Sequence, residues 1–191
     1  MLIMHWGDVS GMKTLDRALS KLSGKAIRKV GSRALNRAGS SGRTHAVKAL
    51  RKRTGLKRKT LLRAMKPIRA TAFNLEYQVK AFGGDVALKH FDPIERRRGV
   101  SAKPFGIRKI FPGTFIKGGR FPSRVDLGLG GQVFARVGSS KFPIEKQRSG
   151  VVIPAEMIKG ESAKAWQSTV GKVLPRRVIS EINYITGKAF G

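Results

Sequence analysis

The chain has 191 residues, enough for one sizeable domain or for one domain with an extended appendage. Forty Lys and Arg face eleven Asp and Glu, so the formal net charge is +29. Because such a charge repels itself in a compact monomer and attracts polyanions, we expect the protein to work beside DNA, RNA or acidic protein surfaces. The absence of cysteine excludes disulfides, thiolate metal sites and thiolate nucleophiles.

Neither a membrane span nor a secretory leader is indicated. No apolar run approaches the ~20 residues that cross a bilayer. The opening MLIMHWGDVSGMKTL lacks the basic flank and the following apolar run of a signal peptide. We therefore expect a protein with no membrane partner that is made and used in a cytoplasm.

The first third of the chain is basic and has the spacing of helices. Eighteen Lys and Arg occur from Arg17 to Arg69, and no acidic residue lies between Asp16 and Glu76. Two apolar stripes predict two helices, one on Leu15, Leu19 and Leu22 and one on Ile27, Val30, Ala34 and Ala38.

The second of these helices contains a stripe of small residues. This stripe indicates close approach to another backbone, and the helix either continues through it or breaks near Gly39–Gly42. A further helix is predicted from Leu56 to Lys66, ended by Pro67.

The middle of the chain has the pattern of a sheet. In FNLEYQVKAF (73–82), apolar and polar residues alternate, which predicts a strand with one buried face. Gly83-Gly84-Asp85 predicts a hairpin into DVALKHF (85–91). Further strands are expected at FGIRKIF, RVDLGLG, QVFARVG and FPIEKQ, with long loops at 92–104 and 112–123.

The last part returns to helical spacing. A helix is predicted over 162–174 with Ala163, Trp166, Val170 and Leu174 on one face, and Pro175 starts or kinks a last segment. The order predicts an α+β fold with N-terminal basic helices, a central, mostly antiparallel sheet with long loops, and C-terminal helices. We divide it into a basic helical region (1–70), an extended helix that could form an appendage, and an α+β domain (71–191), together one integrated unit.

Catalysis has little support in the sequence. The histidines lie far apart, and HFDPIE (90–95) matches no metal signature. The eleven acidic residues are scattered, whereas metal-dependent phosphoryl chemistry needs clustered carboxylates. The glycine-rich GLGG lacks the Gly-Lys-Ser/Thr ending of a phosphate loop. We predict no enzyme, no cofactor and no metal.

The strongest feature is the stretch KALRKRTGLKRKTLLRAMK (48–66), which has nine basic residues and no acidic one. Such a surface binds duplex phosphates non-specifically, with steep salt dependence, or docks an acidic subunit. A merely solvated face is the third alternative, and the sequence does not separate the three. The candidate DNA- or partner-facing residues are Lys48, Arg51, Lys52, Arg53, Lys57, Arg58, Lys59, Arg63 and Lys66.

A second basic element is the Gly/Pro-rich segment ERRRGVSAKPFGIRKIFPGTFIKGGRFP (95–122). Exposed aromatic and Arg side chains are enriched at protein interfaces, but these phenylalanines could equally fill a core beneath the loops. The candidate interface residues are Arg96, Arg97, Arg98, Phe105, Phe111, Phe115 and Phe121.

Several of these motifs together resemble a known family. TGLKRKTLLRAMK, LKHFDP, RRGVSAKPFGIRKIFPGTFIKGGRFPSRV, GGQVFARVG and FPIEKQRSGVVIPAEM are similar, in this order, to the minor tail protein Z family of tailed bacteriophages and prophages. The similarity covers about residues 12–180 and is most specific at GVSAKP, FPG-x-FI and PIEKQ-x-SG.

The resemblance implies a low-copy, non-enzymatic virion protein that completes the tail at its head-proximal end, where DNA passes from head to tail. It also implies other neck and tail proteins as partners (tail terminator, head-closure or adaptor ring, tail tube) and a homo-oligomeric ring, with sixfold symmetry suspected. Localisation would be the virion, and the host cytoplasm during assembly. The alternative is a non-specific nucleic-acid-binding protein of the packaging or nucleoid type.

Overall fold

The computed structural model describes the backbone of residues 2–5 and all of residues 24–185. Long helices near both ends flank a central part built of antiparallel strands, so the predicted α+β class is confirmed. The stripe at Leu15, Leu19 and Leu22 lies outside the described residues.

The chain packs into two compact units with interleaved segments. Unit 1 comprises Met1–Ala49, Met65–Phe82 and Met157–Gly191, and unit 2 comprises Leu50–Ala64 and Gly83–Glu156. These bounds follow packing, whereas the boundary predicted at residue 70 follows charge.

Unit 1 is built from a three-stranded sheet and two long helices. The strands are β1 (Leu2–His5), β2 (Met65–Ile68) and β3 (Glu76–Ala81), in the antiparallel order β1-β3-β2. The helices are α1 (Gly24–Thr54), of which the part up to Ala49 belongs to this unit, and α4 (Gly160–Ile185).

Strand β3 confirms the predicted alternation but not the predicted hairpin. Tyr77 and Val79 are buried, as a period of two requires. The expected pairing with DVALKHF is wrong, because β3 pairs with β1 on one side and β2 on the other.

Helix α1 runs unbroken through Gly39 and Gly42, so no break occurs at Gly39–Gly42. The small residues there make room for side chains rather than for another backbone. A Cβ at Gly39 would collide with the Tyr77 ring, and one at Gly42 would lie 2.9 Å from Cγ2 of Val170.

Helix α4 buries one stripe along its whole length, formed by Ser162, Trp166, Val170, Leu174, Val178 and Ile182. The Trp166 ring stacks on Tyr77 with centroids 6.1 Å apart. Pro175 lies inside this continuous helix and starts no new one.

The helix predicted from Leu56 to Lys66 is too long. Helix α2 spans Arg58–Ala64, and strand β2 follows directly. The residue before a proline favours extended backbone, which turns the chain out of the helix before Pro67. Pro67 is tolerated in β2 because that strand lies at the edge of its sheet.

Unit 2 consists of short strands and short helical segments. Its strands are β4 (Asp85–Ala87), β5 (Ile94–Arg96), β6 (Gly99–Ala102), β7 (Lys109–Pro112), β8 (Thr114–Phe115), β9 (Phe134–Arg136), β10 (Ile144–Lys146) and β11 (Arg148–Val152). They form antiparallel sheets β5-β6-β7, β8-β9-β10 and β4-β11. Helix α3 is Ile153–Met157, of which the part up to Glu156 belongs to this unit, and 3-10 turns occupy Leu88–His90 and Pro104–Gly106.

Both predicted long loops contain strands. The segment 92–104 holds β5 and β6, joined by a two-residue turn at Arg97 and Arg98, and β6 is buried throughout. Gly99 allows this packing, because a Cβ there would collide with the carbonyl oxygen of Phe111. The segment 112–123 holds β8, whereas the strand expected at RVDLGLG is reduced to one bridge between Gly118 and Val125.

Candidate functional site

The nine predicted basic side chains are all exposed. Lys48 and Lys66 belong to unit 1. The other seven belong to unit 2, on the last turn of α1, the short connection after it and α2; they are Arg51, Lys52, Arg53, Lys57, Arg58, Lys59 and Arg63. We call these seven the basic turn.

A fixed backbone conformation joins the two helices of the basic turn. Gly55 ends α1 with φ +76°, and its N–H donates to the carbonyl of Arg51 at 3.0 Å. The Thr54 hydroxyl donates to the carbonyl of Leu50 at 2.7 Å and accepts the N–H of Leu56 at 3.3 Å. The cations are therefore held on a defined turn rather than on a loose connection.

Two of the seven cations have a carboxylate partner. Arg53 pairs with Glu156, and Lys57 Nζ lies 3.1 Å from Asp92, which also contacts Lys103 at 3.3 Å. Hydrogen bonds from Lys57, and then from Lys103, lower the pKa of Asp92 below its ordinary value.

The other five cations of the basic turn have no carboxylate partner within residues 24–185; they are Arg51, Lys52, Arg58, Lys59 and Arg63. The positive charge of one of these residues, Arg63, also acts on the side chain of His90. Burial, followed by the charges of Lys89 and Arg63, lowers the pKa of His90, so this ring is neutral at neutral pH. The surface can therefore hold a polyanion, but its histidine adds no charge there.

The predicted interface residues fall into two groups. Arg96, Arg97 and Arg98 are exposed at the tip of the β5–β6 hairpin, and Phe105 and Phe121 are exposed too. Phe111 and Phe115 are half-buried. The Lys109 ammonium lies 5.0 Å from the Phe111 ring centroid, and Phe115 packs on Phe134 at 6.3 Å. None of these four phenylalanines is fully buried.

A cavity of about 310 Å³ lies beside this hairpin, between β8–β10 and the loops around them. Six cations line it: Arg97, Arg98, Lys117, Arg124, Arg136 and Lys141. Its apolar lining consists of Phe115, Leu127, Phe142 and Ile144. We call it the cationic cavity.

Sequence reasoning found only part of this cavity. Arg97, Arg98 and Phe115 were candidates, whereas the other cations lie as far along the chain as Lys141. Their grouping depends on the pairing of β8, β9 and β10, and no sequence spacing reveals that pairing. The only indication of this cavity in the sequence was the high density of Lys and Arg, with few Asp or Glu, in this part of the chain.

Within the described part of the chain, no cluster of three or more His, Cys, Asp or Glu is placed to hold a metal ion. Nor does any helix there have the length and apolarity to cross a membrane.

Comparison of the chain with protein-family models, curated proteins and solved structures found no match. The resemblance of the sequence motifs to tail proteins therefore stays a prediction, and the surfaces described above are the physical basis for a function.

Proposed function

We propose that the chain is a non-enzymatic structural protein of a phage virion, which completes the tail at its head-proximal end. Its partners would be neighbouring neck and tail proteins and further copies of itself in a ring. It would contact the passing DNA through non-specific charge interactions.

One observation carries this proposal: among the described residues, unit 2 combines five cations of the basic turn that have no carboxylate partner with ten exposed large apolar side chains. The exposed aromatic side chains among them, Phe105, Phe121 and Phe142, are of a type that is enriched at protein interfaces. Dense unpaired cations indicate contact with a polyanion, or with an acidic protein. A neck component meets both, since it lies between ring proteins and DNA.

The second candidate function is non-specific nucleic-acid binding outside any particle. The five unpaired cations of the basic turn favour it, because each phosphate that they neutralise releases counterions. The exposed apolar side chains weigh against it, because aliphatic groups such as Ile107 and Val125 add nothing to phosphate contact.

The test is complementation of a phage that lacks the gene. The proposal predicts that the deletion gives heads and tails that do not join, and that the wild-type gene restores infectious particles. The second candidate predicts normal joining of heads and tails together with a defect in DNA packaging. Normal particles from the deletion would contradict the proposed function and a packaging role, and would leave only nucleic-acid binding of the nucleoid type.

A further inference from the structure

The cationic cavity has an excess of positive charge that the described residues do not balance. Of its six cations, only Arg124 has a carboxylate partner there, Glu95. Glu95 also accepts the N–H groups of Ile116 (3.1 Å) and Lys117 (3.4 Å), so this carboxylate fixes the cavity wall. The other five cations have no carboxylate partner among the described residues, although Arg136 lies over the Phe115 ring, so the cavity favours an anionic ligand.

The same cavity also offers apolar surface to its ligand. Phe142 is 65% exposed and Leu127 is 44% exposed at its edge, although both line it. A purely ionic ligand such as phosphate would leave these groups in water. The lining thus fits a ligand that carries apolar groups as well as negative charge.

Protein fits this lining better than nucleic acid. The Phe115 ring is covered by the Arg136 guanidinium at 5.5 Å and packs on Phe134, so it is not free to stack on a base. Leu127 and Ile144 have no flat face for stacking, which leaves Phe142 as the one free ring of the lining, enough to stack on a single base but not on a run of bases. Duplex DNA presents its phosphates on a convex surface, which does not enter a cavity of this size.

The ligand comes from a different protein rather than from a second copy of this chain. The two closest acidic residues in the 191 residues are Asp92 and Glu95, three positions apart, and both already form ion pairs within their own fold, with Lys57 and Arg124. The sequence thus contains no acidic segment that could occupy the cavity of a neighbouring copy.

We propose that the cationic cavity is the docking site for an acidic peptide segment of a partner protein, with Asp or Glu interspersed with Leu or Phe. This inference deepens the proposed function and rests on it for the identity of the partner. Carboxylates of the peptide meet Arg97, Arg98 and Lys117, and its apolar side chains contact Leu127 and Phe142.

The test is fluorescence anisotropy on the full chain at about 150 mM salt, where long-range attraction is screened. The probe is a short labelled peptide that alternates Glu with Leu and Phe. Two control peptides replace every Glu by Gln, or every Leu and Phe by Ser. A labelled single-stranded oligonucleotide of similar length is the fourth probe.

The cavity variant is R97Q/R98Q/K117Q, and its charge-matched control is K172Q/R176Q/R177Q on the exposed side of α4. The proposal predicts that the cavity variant binds the Glu peptide at least about tenfold more weakly, and that the control stays within about twofold of wild type. Equal losses in both variants would overturn it, since they would show attraction to net charge alone. Tighter binding of the oligonucleotide, lost in the cavity variant, would also overturn it.

The single variant F142S keeps the test valid if the triple variant does not fold. Phe142 is mostly exposed, so its removal leaves the core intact. It should weaken binding of the Glu peptide but not of the peptide that carries Ser, and equal effects on both would contradict a shared charged and apolar site. Peptide binding without incorporation into particles would reject the proposed function alone, whereas incorporation without peptide binding would reject this site alone.

Discussion

The two units of the chain use their residues differently. In unit 1, long regular elements bury a continuous stripe of α4 and the inner face of β3. In unit 2, the strands are two to five residues long, and the unit holds ten of the eleven described glycines with positive φ. Among the described residues, it also holds both non-glycine residues with positive φ, Asp92 and Phe105, and ten of the sixteen exposed large apolar side chains.

This difference indicates where stability and where recognition reside. Regular elements with buried stripes contribute stability, because burial of apolar area is the main favourable term in folding. Turns with special backbone conformations position side chains at the surface, where they meet partners. Substitutions at glycines and at cations separate the two roles.

The largest expected effect is that of G39A in unit 1. The added methyl group would meet the ring of Tyr77, which is 1% exposed and stacked on Trp166, so it cannot move aside freely. We expect a loss of about 3 kcal/mol in the free energy of unfolding, measured by urea denaturation.

The matched control for G39A is G171A, at a glycine of α4 with nothing within 4 Å of the added methyl group. Alanine favours the helix over glycine, so this variant should gain about 0.5–1 kcal/mol. The same sign of change in both variants would contradict the described packing of α1 on β3.

A smaller loss is expected for G55A at the basic turn. Alanine is strained at φ +76°, and its Cβ would lie 2.9 Å from the carbonyl oxygen of Lys103, so we expect a loss of about 2 kcal/mol. Urea denaturation measures it against G84A, where the methyl group meets open space and φ is not positive. An equal change in the free energy of unfolding for G55A and G84A would contradict the described conformation of Gly55.

The basic turn should account for much of the DNA affinity. Replacing three of its unpaired cations in R58Q/K59Q/R63Q removes up to three phosphate contacts. The slope of log K against log salt for a duplex should therefore fall by up to about 2.7, and the affinity by about tenfold. The variant K172Q/R176Q/R177Q carries the same change in charge elsewhere. An equal change of slope in both would show that net charge, and not this surface, binds DNA.

The smallest effect concerns His90 and acid. Burial, then Lys89 and Arg63, lowers its pKa in the folded state, so below about pH 6.5 the unfolded state binds more protons. Stability should therefore fall as the pH is lowered from about 6.5 through the folded-state pKa. The variant H90Q should lose this part of the pH dependence, as shown by thermal denaturation between pH 7 and pH 5. An unchanged profile would contradict the described environment of the ring.

The spacing of apolar residues predicted the helices and strands that bury one regular face. The alternation at 73–82 predicted β3, and the stripe at Trp166, Val170 and Leu174 predicted α4. Pairing could not be predicted in this way. The partners of β3 lie far along the chain in β1 and β2, and the partner of β4 is β11.

For the candidate site, the sequence identified the basic residues but not which of them have carboxylate partners. Lys57 and Arg58 are neighbouring cations in the sequence, yet Asp92 pairs with Lys57 and leaves Arg58 without a carboxylate partner within the described residues. Most residues of the cationic cavity were not predicted, because its cations come from separate strands and loops between Arg97 and Lys141.

The central claim is that this chain is a structural component of a virion. Its most direct test is quantitative mass spectrometry of purified phage particles from a strain that carries the gene. The proposal predicts a few copies in each particle, about one ring's worth, that remain bound through high-salt washing. Absence from particles while the protein is abundant in the lysate would contradict it and favour nucleic-acid binding outside the virion.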